Sequence, residues 1–101
     1  MFRYPEYTYT VWVASDQATM PKSIHRNEYR VLLRMIKDRR QRAGLTQKEC
    51  SEGLGRSQSF MSDIERGVRR LDVVQLRDLC RIMNSDLRKF VADLERELRG
   101  R

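Results

Sequence analysis

From Asn27 onward the apolar positions recur with the period of an α-helix. Tyr29, Leu32, Leu33 and Ile36 fall at i, i+3, i+4 and i+7, one face of a helix. That helix runs into the basic stretch KDRRQRAG and stops at Gly44. Thr46, with Glu49 three residues later, is a capping box, so a second helix begins at about Gln47 and ends at Gly55. Ser57 caps a third, from about Gln58 to Arg66, closed by Gly67. Asp72 caps a fourth, carrying Leu76, Leu79, Cys80 and Met83 at the same helical spacing and ending at Asn84. A fifth starts at about Asp86 and sets Leu87, Phe90, Val91, Leu94 and Leu98 along one stripe. The pattern predicts an all-α domain of five helices joined by short loops, with no internal repeat.

The stretch before Asn27 follows a different period. YTYTVWV, Tyr7 to Val13, alternates and is rich in β-formers, so it reads locally as a strand. No later segment offers it a partner strand, and a lone strand is not stable. Three readings stand: a disordered leader, an arm that pairs with another chain, or residues upstream of a natural start at Met20. The chain therefore divides into a non-helical N-terminal arm, residues 1–25, and a helical domain, residues 26–101. A length of 101 residues fits one domain with such an appendage. So small a core gives limited stability, which makes a partner or a second copy a natural companion.

Charge sharpens the division. The arm is balanced, with Arg3 and Lys22 against Glu6 and Asp16, so the helical domain carries the whole net charge of +7. A small basic domain suggests a polyanion partner, most often nucleic acid; the alternative is a solvated surface, because acids are mixed among the bases. No apolar run approaches the roughly 20 residues that cross a bilayer. The start MFRYPEYTYT lacks a basic region followed by an apolar one, so no signal peptide is expected. Cys50 and Cys80 stand far apart without a CxxC pair, which fits reduced core thiols of a cytoplasmic protein better than a disulfide or a metal site. His25 has no obvious partner and reads as a surface residue. The sequence offers no paired catalytic carboxylates, no metal-ligand cluster, no phosphate-cradling glycine loop and no nucleophile with a histidine base. Neither an enzyme nor a bound cofactor is expected.

The middle of the chain, GLGRSQSFMSDIERG, joins two short helices by a tight glycine turn, a helix-turn-helix unit. Ser51, one helical turn before Gly55, supplies the small residue that the crossing needs. Cys50, Leu54, Met61 and Ile64 supply its apolar contacts. The longer stretch TQKECSEGLGRSQSFMSDIERG resembles the phage repressor and Cro type of helix-turn-helix, the xenobiotic-response-element (XRE) family. The matching positions are Leu45, Thr46, Gln47, Ser51, Leu54, Gly55, Ser57, Gln58, Met61, Ile64, Glu65, Arg66 and Gly67. RRLDVVQLRDLCRIMN also looks like the fourth helix of many bacterial members. Two departures stand out. Cys50 replaces the usual leucine, and Gly53 lies inside the second helix, where glycine costs about 0.5–1 kcal/mol relative to alanine. Room for the bulky Phe60 is one reason for that glycine. In helical register Phe60 faces away from the leading edge, which favours packing over base contact.

The resemblance implies a lambda-repressor-like domain that regulates transcription, as a repressor, in the cytoplasm of a bacterium or in a phage-infected cell at the nucleoid. It implies that the third helix enters the major groove of double-stranded DNA with its N-terminal end toward the bases. Short polar side chains there read sequence, while charged ones hold any sequence. Gln58 can donate and accept together, as adenine N6 and N7 require; Ser57, Ser59, Ser62 and Asp63 lie on or near the same side. Asp63 can accept from cytosine N4, or be a solvated acid or the partner of a nearby arginine. A glutamine at the position of Gln47 grips a phosphate in the family, aided by backbone N–H groups and the positive helix end, and Thr46 is a second candidate. Arg56, Arg66, Arg69 and Arg70 flank the reading helix and are candidates for phosphate contacts, against a merely solvated role. The resemblance further implies a structural ion pair between Arg40 and Glu65. It also implies a homodimer on two half-sites, for which Leu94 and Leu98 on the fifth helix are the candidate interface; the alternative is that this stripe only docks on the first helix. A rival function is an antitoxin or adaptor that holds a protein partner through the aromatic arm YPEYTYTVWV.

Overall fold

The computed structural model describes residues 26–100. The arm, with its strand reading, Met20 and His25, lies outside the described residues. Among the described residues five helices follow in order: α1 Asn27–Arg42, α2 Gln47–Gly53, α3 Phe60–Arg66, α4 Val73–Ile82 and α5 Leu87–Arg99. There is no strand among the described residues. The first helix packs on α3 and α5, α2 packs on α3 and α4, and α4 packs on α5.

Local chemistry sets most of the boundaries. The Thr46 hydroxyl accepts from the Glu49 N–H at 3.0 Å, and the Glu49 carboxylate accepts from the Thr46 N–H at 2.9 Å. Asp72 and Gln75 make the same reciprocal pair at the start of α4. Asp86 caps α5 by accepting from the Lys89 N–H. The first four helices all end alike. At each end one N–H reaches back to the carbonyl five residues earlier and its predecessor to the carbonyl three residues earlier, as in Gly44 with Leu45, Gly55 with Arg56, Gly67 with Val68 and Asn84 with Ser85. The closure forces the first residue of each pair to positive φ, which Asn84 adopts at 61° and Gly55 at 70°. At Gly55, the turn between the two crossing helices, a side chain would be strained by this conformation even though open space surrounds it.

The core is Val31, Leu33, Met35 and Ile36 from α1, Cys50 from α2, Phe60, Met61 and Ile64 from α3, Leu76, Leu79 and Cys80 from α4, then Met83 and Phe90. The face of α1 is thus wider than the expected stripe: Val31 and Met35 are buried, whereas Tyr29 and Leu32 are half-buried. The reason is that α1 is sandwiched between α3 and α5 and meets apolar surface on two sides. On α5 the expected stripe is narrower. Phe90 is buried, Leu87, Leu94 and Leu98 are half-buried, and Val91 is exposed.

The third helix begins two residues later than the sequence pattern predicts, at Phe60, with Ser59 as an N-cap whose side chain makes no capping bond. A helix from Gln58 would give the Met61 N–H to the Ser57 carbonyl. Instead that N–H donates to the Ser51 hydroxyl at 3.0 Å, and the Ser57 carbonyl accepts from the Phe60 N–H in a tighter turn. The role expected of Ser57 as a side-chain cap is therefore taken by a hydroxyl from the neighbouring helix. Gly53 also has a different neighbour from the expected one. A Cβ there would sit 3.0 Å from Ile82 Cδ1, so the glycine makes room for α4 rather than for Phe60.

Candidate nucleic-acid interface

The helix-turn-helix crossing is locked by one small polar residue. Ser51 is fully buried, accepts from the Met61 N–H and donates to the Gln58 carbonyl at 3.4 Å. Gln58 is thereby anchored through its backbone, while its side chain stands exposed. Thr46, Gln47 and Lys48 at the start of α2, and Ser57, Gln58, Ser59 and Ser62 at the start of α3, line one open cleft. Lys48 is missing from the sequence reading; its place one residue after Gln47 was the available signal.

The other sequence-derived residues occupy two further places. Asp63 lies beside this cleft, not in its lining, and holds the Arg66 guanidinium at 2.6 Å. Arg56, Arg69 and Arg70 are exposed. The guanidinium carbons of Arg56 and Arg69 lie 4.6 Å and 5.2 Å from the centre of the Phe60 ring. Leu94 and Leu98 are remote from the cleft, half-buried against the core.

Behind the cleft lies an ion pair. The Nε of Arg40 donates to Glu65 Oε2 at 2.7 Å and its Nη2 donates to Oε1 at 3.1 Å, while Nη1 donates to the Leu45 carbonyl at 2.9 Å. The two side chains keep only 10% and 5% of their exposure. The hydrogen bond to Glu65 raises the Arg40 pKa above its already high ordinary value, against the opposing effect of burial. The side-chain amide of Gln47 joins this group, donating to Glu65 Oε1 at 2.8 Å. The family resemblance assigns Gln47 a phosphate alone. In the fold one of its amide N–H groups orients it on Glu65, and the other N–H and its carbonyl oxygen remain for a ligand. Thus α1, the α1–α2 turn, α2 and α3 are tied together just behind the exposed polar residues.

Comparison with known proteins agrees with this architecture. Residues 31–88 match the family model described as "Helix-turn-helix domain". A solved structure, an XRE-family like protein from Pseudomonas syringae pv. tomato str. DC3000, is similar at 40% identity with a TM-score of 0.69. The match covers 82% of this chain and 98% of that one. The chain belongs to the helix-turn-helix family, of the XRE type. This XRE-type helix-turn-helix protein falls in a class of DNA-binding regulators. No similar protein is found among the curated proteins. No helix among the described residues is long and apolar enough to cross a membrane.

Proposed function

We propose that this protein is a sequence-specific regulator of transcription, a repressor, which inserts the α3 region into the major groove of double-stranded DNA. The observation that carries the reading is the cleft itself, where short hydrogen-bonding side chains from two helix starts converge. In this reading Ser57, Gln58, Ser59 and Ser62 face base edges, and Gln58 makes the bidentate contact that adenine accepts. Asp63, already engaged by Arg66, assists at the margin. Thr46 and Gln47, with Lys48 beside them, meet the phosphates on one side of the groove. Arg56, Arg66, Arg69 and Arg70 meet those on the other. Their positive charge supplies affinity that falls with salt, and the cleft supplies the sequence preference.

A single unit reads only a few base pairs, so the reading includes a homodimer on two half-sites. The proposed contact is α5, through the outer parts of Leu94 and Leu98. Sedimentation of the wild type and of Leu98→Glu tests it: the variant should run as a monomer, and an unchanged mass would remove α5 from the interface. The base-reading role is tested on Gln58→Ala with duplexes varied one position at a time. Discrimination should fall by about 1–3 kcal/mol at the position that Gln58 reads, and only there. An equal loss at all positions would make Gln58 a backbone contact.

A further inference from the structure

The Phe60 ring serves two cations at once. Its side chain is 2% exposed, yet the guanidinium carbons of Arg56 and Arg69 both sit within about 5 Å of the ring centre. One arginine enters α3 and the other leaves it. Several arginines around the bundle hold carboxylates: Arg34 with Glu97, Arg39 with Asp38 and Asp93, Arg42 with Asp38, Arg66 with Asp63. Among the described residues Arg56 and Arg69, like Arg30, Arg70, Arg77, Arg81 and Arg88, pair with no carboxylate; the shared ring sets these two apart. An aromatic face attracts a guanidinium without neutralising it, so both charges stay available to an external anion. The distances to the shared ring keep the two carbons no more than about 10 Å apart. Phosphate charges recur about every 3.4 Å of helix axis along a DNA strand, so one stretch of backbone offers phosphates to both cations.

We propose that Phe60 is a positioning residue: an aromatic platform that pre-orders Arg56 and Arg69 as a paired clamp on the DNA backbone beside the reading helix. The inference rests on the DNA-binding reading above and deepens it. Arginine side chains lose rotamer freedom when they meet a phosphate. Ordering them beforehand on a ring that cannot move, because it is buried, removes part of that loss. The ring does not touch DNA; it acts through the two guanidiniums. Arg70, exposed and adjacent in sequence, has no such contact and serves as the internal control.

The test is a double-mutant cycle on binding to a labelled mixed-sequence duplex, read against salt, at a temperature where every variant is fully folded by its own melting curve. Arg56→Gln and Arg69→Gln should each lower the slope of log K against log salt by about 0.9. Phe60→Leu, which keeps the apolar bulk and removes the π face, should weaken binding about fivefold, because both arginines must then be ordered on contact. In the Phe60→Leu background each arginine substitution should lose part of its effect, whereas Arg70→Gln should have the same effect in both backgrounds. Additive effects, or wild-type binding by folded Phe60→Leu, would overturn the platform and leave the DNA reading intact. A wild-type chain without salt-dependent duplex binding would overturn both. In the free wild type, the δ-protons of Arg56 and Arg69 should show upfield ring-current shifts by NMR; ordinary shifts for both would also overturn the proposal.

Discussion

At the residue scale the protein depends on a few polar groups held in apolar surroundings. Arg40 and Glu65 are the clearest case, since their bidentate contact is nearly out of water and Gln47 shares one carboxylate oxygen. Removing one partner leaves the other as an uncompensated buried charge. Arg40→Met should therefore lower unfolding stability by about 3–5 kcal/mol in urea titrations. A variant with unchanged melting and unchanged DNA binding would mean that the pair is idle. Arg40→Lys should not restore the loss, because an ammonium cannot reproduce the fork that meets both oxygens and the Leu45 carbonyl. The two thiols behave oppositely to reactive cysteines. Burial pushes both Cys50 and Cys80 above the ordinary thiol pKa, and both are fully enclosed. A thiol-specific reagent at mildly alkaline pH should label neither until urea unfolds the chain. Rapid labelling of the native state would contradict their placement in the core.

At the scale of the element, helix ends are where sequence and fold agree most closely, because the controlling atoms are neighbours in the chain. The Thr46–Glu49 pair, the Asp72 and Asp86 caps and the closures at Gly44, Gly55, Gly67 and Asn84 all act within six residues. Where a boundary depends on another helix, the pattern misleads. The late start of α3 comes from Ser51, ten residues before the Met61 N–H that it captures. The small residue at the crossing was legible, but not that its hydroxyl would take over part of the next helix's ladder. Gly53 is a second case: its neighbour Ile82 is on α4, and no local signal links them. This contact yields a coupled prediction. In the Ile82→Val background, where the crowding methyl is gone, Gly53→Ala should stabilise by about 0.5–1 kcal/mol from helix propensity. In the wild type the Ile82 side chain must move aside, and the gain should be smaller or reversed. Equal effects in both backgrounds, measured by denaturant titration, would remove Ile82 as the reason for the glycine.

At the scale of the whole molecule, carboxylates of the last helix hold the first: Glu97 accepts from Arg34, and Asp93, the less exposed of the two, from Arg39. Asp93 on α5 accepts from Arg39 on α1 at 3.1 Å and also holds Arg96 and Lys89 of its own helix. The Arg96 hydrogen bond, seconded by Arg39 and Lys89, holds its carboxyl below the ordinary aspartate value. A folded pKa lower than the unfolded one stabilises above the ordinary value, near pH 3.9, and that contribution disappears as pH falls through the folded value. Asp93→Asn should therefore flatten the acid limb of stability against pH below about 4 while leaving neutral behaviour of the other groups unchanged. An identical acid limb in variant and wild type would show that the α1–α5 contact does not depend on this charge. The candidate site was legible to an unequal degree for the same reason as the fold. Its polar cleft follows from two adjacent helix starts, and those residues could be read off the chain. The Gln47–Glu65 contact and the Phe60 ring under Arg56 and Arg69 depend on how α1, α2 and α3 are assembled, so the sequence pattern did not show them. Whether the proposed cleft selects a DNA sequence is decided by selection from a pool of random duplexes at near-physiological salt, with sequencing of the bound fraction. An enriched inverted repeat is expected, its half-sites about one helical turn apart. Weak binding without enrichment, abolished by moderate salt, would contradict it and reduce the basic surface to generic attraction for polyanions.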